Sequence, residues 1–176
     1  MLNRTFAALL LMSAAACSPP APQSTQTETD APPPQELACN TVTPDATRQV
    51  SVETPPVAAI ASDLRGGEIA PGTYDLTSAR RIGAATGWDG TRAVAVEVTE
   101  DTATGTVTLN WAGTASSSSI VDRWSATLTE APSARLTYTC GRIGEVDASF
   151  AAAPRQLELR IADGANGELQ LAFAQR

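Results

Sequence analysis

Apolar and polar residues alternate in short runs along most of the chain after Gly66. In one such run Val94, Val96 and Val98 share a face, and small or polar residues occupy the other. A period of two residues is typical of a β-strand that buries one face and exposes the other to water. The pattern predicts eight strands: Thr73–Ala79, Thr91–Thr99, Gly105–Trp111, Ile120–Thr129, Arg135–Cys140, Glu145–Phe150, Gln156–Ala162 and Glu168–Ala174.

The segments between these strands are mostly short and rich in turn-forming residues, such as Asn166-Gly167 before the last strand. Short connections make consecutive strands antiparallel neighbours, and no segment sustains a helical period. The sequence therefore predicts an all-β domain, an eight-stranded antiparallel up-and-down meander. Closing this meander into a barrel would remove both exposed edges, and folding it into a β-sandwich is the alternative.

The first residues form an export signal, with a positive start at Arg4, an apolar run over Phe6–Met12 and small residues up to Ala16. The apolar run is too short to span a bilayer. An ordinary secretory signal is one interpretation. The other is a bacterial lipoprotein signal, which Ser13–Cys17 resembles. That resemblance implies acylation of the Cys17 thiol, cleavage before it, and a lipid anchor in the membrane.

Four segments follow from these patterns: a signal peptide over 1–16, an anchored linker over 17–36, an irregular extension over 37–65 and the barrel domain over 66–176. The linker is rich in Pro, Thr and Gln, a composition that predicts disorder. In the extension, Arg48–Val52 suits a short strand and Val57–Leu64 one helical turn. Ser18 after the lipidated cysteine suggests the periplasmic face of the outer membrane, with secretion or the cell surface as the alternative.

The composition excludes several kinds of function. The chain carries a net charge of −7 and no basic cluster, which argues against nucleic acid as a partner. It contains no histidine, the commonest general base and metal ligand. Catalysis would depend on carboxylates such as Asp89, Glu97 or Asp122, which form no convergent pair in the sequence. We therefore predict no enzymatic activity, catalytic residue, metal site or cofactor.

Two cysteines, Cys39 and Cys140, remain beyond the signal. In an exported protein such a pair predicts one disulfide, and two free thiols are the alternative. The bridge would hold the extension against the outside of the barrel.

Two resemblances concern the start of the barrel. The segment Gly66–Thr77, which reads GGEIAPGTYDLT, resembles a motif of small exported bacterial lipoproteins and implies a domain boundary there. The chain also resembles lipocalin-like barrels, in which an aromatic residue opens the first strand and a terminal Arg packs over it. Here Gly72 and Tyr74 match the opening, and Arg176 matches the terminal Arg. The resemblance implies a cation–π contact at the barrel closure, and the alternative is a solvated terminal Arg.

Five residues are candidates for binding a ligand: Trp88, Arg92, Trp111, Asp122 and Trp124. Asp122 breaks an apolar face, and Arg92 shares the face of Val94 in another strand. The two could pair in a barrel mouth, or lie in water at strand ends. Trp111 and Trp124 suit core packing, whereas Trp88 lies in a loop and could be exposed at a binding edge. The leading hypothesis is a cell-envelope lipoprotein whose barrel binds a small apolar ligand. The alternative is an interaction module with a filled barrel, for a protein partner that the sequence does not identify.

Overall fold

The computed structural model describes residues 38–54, 64–130 and 134–176. The predicted signal, Cys17, the linker and most of the predicted turn Val57–Leu64 lie outside these ranges. Within them, no helix is long and apolar enough to cross a membrane. The described ranges contain nine strands: β1 (Val50–Glu53), β2 (Gly72–Gly83), β3 (Thr91–Asp101), β4 (Thr106–Ala115), β5 (Val121–Thr129), β6 (Arg135–Cys140), β7 (Glu145–Ala153), β8 (Gln156–Ala162) and β9 (Gly167–Gln175).

Strands β2 to β9 form an antiparallel meander in which each strand pairs with the next. β9 also pairs with β2, from Tyr74 opposite Gln175 to Gly83 opposite Gly167, so the sheet forms a ring. This arrangement confirms the predicted all-β up-and-down class with eight strands in the meander. It favours the ring over the β-sandwich alternative, because both edge strands of the meander are paired with each other.

The short strand β1 fills a gap in the ring. β2 and β3 pair with each other only near the start of β2, from Gly72 opposite Val98 to Asp75 opposite Ala95. Where they diverge, β1 pairs in parallel with β2 and antiparallel with β3. It therefore supplies backbone hydrogen-bonding partners to two strands that would otherwise be unpaired there.

The inward faces of the strands fill most of the ring interior. Their buried apolar side chains form one cluster, and burying each large member contributes about 1.5–3 kcal/mol. A bulge in β2 between Leu76 and Ser78 shifts the inward positions by one, so that Ala79 is buried after it. The largest fully buried apolar members are Tyr74, Leu109, Trp124, Leu136, Leu157, Leu159, Leu171 and Phe173.

Residues 38–48 lie across the outside of the ring, and we call them the strap. The predicted disulfide between Cys39 and Cys140 is confirmed and fixes the strap to the end of β6. Val42 packs on the outward-facing Ala95 and Ala112, and its carbonyl accepts a hydrogen bond from the Arg123 guanidinium. The strap therefore connects β6 to β3 over the outer surface before the chain enters β1.

The C-terminal residue closes the seam between β2 and β9, although not by the contact that the lipocalin-like resemblance implies. Tyr74 is buried inside and donates a hydrogen bond to the Ala70 carbonyl over 2.6 Å. The Arg176 guanidinium lies instead on Asp75, at 2.8–3.1 Å from its two oxygens. The expected cation–π contact with Tyr74 is wrong because neighbouring residues of a strand point to opposite faces, and Arg176 reaches the outer one.

Candidate functional site

Connections from four strand pairs converge at one end of the ring, which we call the mouth. They join β2 to β3 (84–90), β4 to β5 (116–120), β6 to β7 (141–144) and β8 to β9 (163–166). In an antiparallel meander every second connection returns at the same end, so residues far apart in sequence meet there. Aromatic side chains from strands and loops line this mouth.

All three tryptophans of the chain lie at the mouth. Trp111 and Trp124 occupy paired positions on β4 and β5, and their rings stack with centroids 5.0 Å apart and planes 11° apart. Trp88 leans on Trp111 at 5.5 Å, and Tyr138 meets Trp124 edge-on at 5.4 Å. Such aromatic pairs contribute about 0.5–1.5 kcal/mol each beyond their buried area. We call these four residues the aromatic box.

A cavity of about 220 Å³ opens between the aromatic box and the apolar side chains of β8 and β9. Arg142 covers one side, with its guanidinium 5.6 Å from the centre of the Trp124 ring and 5.8 Å from that of Tyr138. An ion pair with Asp122, 2.9 Å between Nη2 and Oδ2, fixes the position of Arg142. The cavity therefore has flat aromatic walls, and its rim carries Arg142, paired with Asp122, and the carboxylate of Asp163.

The N–H groups of the two stacked indoles are buried without a hydrogen-bond partner in the described part of the chain. Trp111 and Trp124 are each 2% exposed, and neither Nε1 has a hydrogen-bond partner within the described ranges. An unsatisfied buried donor costs about 1–3 kcal/mol. Gly113 gives the Trp111 indole its room, because a Cβ there would lie 3.0 Å from Nε1. The box is thus less stable than an apolar core of the same size, as is common at binding sites.

The loop that carries Trp88 is held by Asp163, a residue that the sequence did not single out for this role. One Asp163 carboxylate oxygen accepts hydrogen bonds from the backbone N–H groups of Thr86 and Gly87, at 2.7 and 2.6 Å. Trp88 is only 9% exposed, so it is not the exposed loop residue that the sequence left open. The Arg92 guanidinium lies 5.1 Å above the Trp88 ring and covers its outer side.

The predicted pair between Arg92 and Asp122 does not form. Arg92 contacts Trp88 and lies 4.0 Å from Asp89, whereas Asp122 pairs with Arg142. Both residues are at the mouth, but their strands β3 and β5 are separated by β4. Four of the five predicted ligand residues therefore lie together at the mouth: Trp88, Arg92, Trp111 and Trp124. The fifth, Asp122, supports Arg142 instead of pairing with Arg92.

The carboxylates considered for catalysis are dispersed. Asp89 is exposed at the mouth, and Glu97 is on the outer face of β3, where it accepts a hydrogen bond from Asn110 over 3.4 Å. Within the described ranges no group of three or more Cys, Asp or Glu side chains is placed to hold a metal ion. The chemistry available at the mouth is aromatic stacking, with the guanidinium groups of Arg92 and Arg142 beside the rings.

No family model and no curated protein matches this chain. Among solved structures, it is similar to a de novo designed fluorescence-activating β-barrel. The two share 17% sequence identity with a TM-score of 0.41, over 61% of this chain and 94% of the designed one. The fold described above follows from the strand pairing, independently of this likeness.

Proposed function

We propose that this protein is a lipid-anchored protein of the bacterial cell envelope whose barrel mouth binds a small, flat, apolar molecule. The observation that carries the proposal is the aromatic box around an open cavity at the mouth. Ligand sites are typically apolar concavities with a few convergent polar groups. The cavity of about 220 Å³ lies below the usual range for drug-sized ligands, which favours a molecule of one or two rings.

The guanidinium beside the box favours a ligand that carries a hydrogen-bond acceptor. The guanidinium of Arg142 at the rim is a donor only, whereas the indole N–H groups of Trp111 and Trp124 are buried and have no accessible surface to offer a ligand. An acceptor at one end of a flat ligand would meet the Arg142 guanidinium, while its rings stack on the aromatic walls. A carboxylate or a carbonyl serves this role.

A second function is favoured by a different observation, the filled interior. Below the mouth the ring is packed with its own side chains, among them Leu109, Leu136 and Phe173. A filled barrel suits an interaction module that needs no ligand. The two functions differ in one measurable respect, which is whether anything binds at the mouth.

The anchoring part of the proposal is supported by the lipoprotein-like signal and by the disulfide, since disulfides persist in oxidising compartments such as the periplasm. We expect Cys17→Ala to release the protein from the membrane fraction of its host, while the parent chain stays there. Cell fractionation followed by immunoblotting measures this. Membrane association that is unchanged by Cys17→Ala would contradict the lipid anchor.

Ligand binding is tested on protein purified from its own host. Native mass spectrometry should detect a bound small molecule, and the three tryptophans report occupancy, since all of them lie at the mouth. As a defined probe we choose 2-naphthoate, a flat two-ring carboxylate, and expect saturable changes in tryptophan emission. No bound mass together with no saturable response would reject this function in favour of the filled-barrel module.

Two arginines of the same hairpin make a matched pair of variants for this titration. Arg142 rims the cavity and is 44% exposed, and Arg135 is 42% exposed at the other end of β6. We expect Arg142→Ala to weaken probe binding about three- to tenfold through loss of the cation–π and ionic contacts. Arg135→Ala should leave it unchanged. Equal effects of the two variants would place the probe outside the aromatic box.

A further inference from the structure

Two large apolar side chains stand exposed in the described part of the chain, and both are at the mouth. Ile120 is 77% exposed at the end of the β4–β5 connection, and Ile143 is fully exposed in the β6–β7 turn. The ion pair between Asp122 and Arg142 joins these two connections, because Asp122 follows Ile120 by two residues and Arg142 precedes Ile143. The two isoleucines therefore flank one rim of the cavity and form an apolar edge.

The turn that carries Ile143 has a backbone conformation that is fixed by Gly141. Gly141 has a φ of +77°, and a Cβ at this position would lie 2.2 Å from the Arg123 carbonyl, so only glycine fits. The turn reads Gly141-Arg142-Ile143-Gly144 and has no acidic residue, in a chain whose net charge is −7. The other connection, Ser116 to Ile120, has no charged residue. The two connections thus present apolar side chains and no acidic residue, and the Asp122 carboxylate beside them is paired with Arg142.

The predicted tether begins at the same end of the barrel. The disulfide places Cys39 on Cys140, which is adjacent to the turn of Ile143. For a flexible linker, the distance from Cys17 to Cys39 averages about 25 Å. The opposite end of the barrel is further from Cys39 by the height of the strands, roughly 25–30 Å for tilted strands of this length. A lipid at Cys17 therefore reaches a bilayer most easily when the mouth faces it.

We infer that the mouth docks on the bilayer surface, with Ile120 and Ile143 inserted among the lipid headgroups. This inference rests on the anchoring part of the proposed function. Two isoleucines alone would hold the barrel weakly, but tethering converts docking into an intramolecular step at high effective concentration. The cavity then opens towards the membrane, so its ligand is a molecule that partitions into lipid.

The orientation can be measured with the mature chain from Cys17 to Arg176 attached to vesicles. Cys17 is its free thiol, because the other two of the three cysteines form the disulfide. Coupling this thiol to a maleimide phospholipid in phosphatidylcholine vesicles reproduces the tether without cellular acylation. A tryptophan introduced by Ile143→Trp reports contact with lipid, and Ala103→Trp in the exposed β3–β4 turn is the matched control at the opposite end.

Vesicles with brominated acyl chains should quench about half or more of the emission that Ile143→Trp adds, since tryptophan settles at the membrane interface. The emission added by Ala103→Trp should be unaffected. Adding Ile120→Asp to Ile143→Trp should reduce the quenching, because the second apolar contact is lost. Equal quenching at both ends, or none at either, would overturn the inference and leave the exposed isoleucines to a protein partner or a second copy.

Failure of this inference is separable from failure of the proposed function. Chemical coupling bypasses the cell, so the vesicle result stands whatever Cys17→Ala does in fractionation. Conversely, a chain that is released from membranes by Cys17→Ala, yet shows no quenching at Ile143→Trp, is anchored without docking by its mouth. Each arm of the experiment therefore decides one claim.

Discussion

Asp75 is a buried carboxylate on the outer face of the ring, with its side chain only 3% exposed. It is compensated by two arginines, Arg176 through paired hydrogen bonds and Arg48 at 3.4 Å. The hydrogen bonds to Asp75 raise the pKa of Arg176 above its usual value. Arg176 also donates to the Thr43 carbonyl, so one residue ties the seam of the ring to the strap.

Removing Arg176 should destabilise the protein, because the buried Asp75 carboxylate then loses one of its two compensating charges. We expect Arg176→Leu to lower the free energy of unfolding by about 2 kcal/mol, less than for a fully buried pair because Arg48 remains. Adding Asp75→Leu should restore most of the loss, since no buried charge is then left unpaired. Urea denaturation measures both variants.

Arg155 provides the control for this cycle. It donates to the carbonyls of Gln175 and Arg176 from an exposed position, so Arg155→Leu should cost less than about 1 kcal/mol. A double variant as unstable as Arg176→Leu alone would show that Asp75 is not the source of the loss.

At the residue scale, the period of two predicted which residues face inward along regular stretches of strand, because that choice depends only on local geometry. It did not predict the bulge after Leu76, which shifts the inward positions to Ala79. It could not predict the partners of polar residues. Arg176 was expected on Tyr74 and is on Asp75, and Asp163 in its turn gave no sign that it holds the loop of Trp88. These contacts join residues distant in sequence, and no local pattern records them.

The strap is the element that the sequence described least well. Its contacts with the ring are made by backbone carbonyls and by single side chains, such as the Asn40 amide that donates to the carbonyls of Trp111 and Trp124. Because it has no alternating face, no periodicity marks it. Those two hydrogen bonds lie directly behind the stacked indoles, so the strap supports the aromatic box from outside.

We expect loss of the disulfide to destabilise the domain without changing the order or the pairing of its strands. Replacing Cys39 and Cys140 by serine should lower the free energy of unfolding by about 2–5 kcal/mol, as for a bridge that closes a long loop. Guanidinium denaturation followed by tryptophan emission measures the change. Cys17→Ser is the matched control and should leave the midpoint unchanged. An unaltered midpoint in the double serine variant would contradict a stabilising role for the bridge.

At the scale of the whole molecule, the all-β class was predictable because eight alternating runs with short connections leave few topologies open. The ring itself depends on pairing between the first and last strands of the meander, such as Tyr74 with Gln175. The mouth depends on it too, since Trp88, Arg142 and Asp163 meet only when the ring is closed. The individual strands were therefore predictable from the sequence, whereas the candidate site was not, because it forms only when the ring closes.

The position of the disulfide also determines how mechanical tension would pass through the molecule. A pull transmitted through Cys17 enters the domain at Cys39 and crosses the covalent bridge directly to Cys140. The strap and β1 to β6 lie between these two points and are shielded from the load, whereas any force towards Arg176 is carried by β7, β8 and β9. All three tryptophans lie between Cys39 and Cys140 in the sequence, inside the shielded part, so the aromatic box is insulated from traction on the anchor.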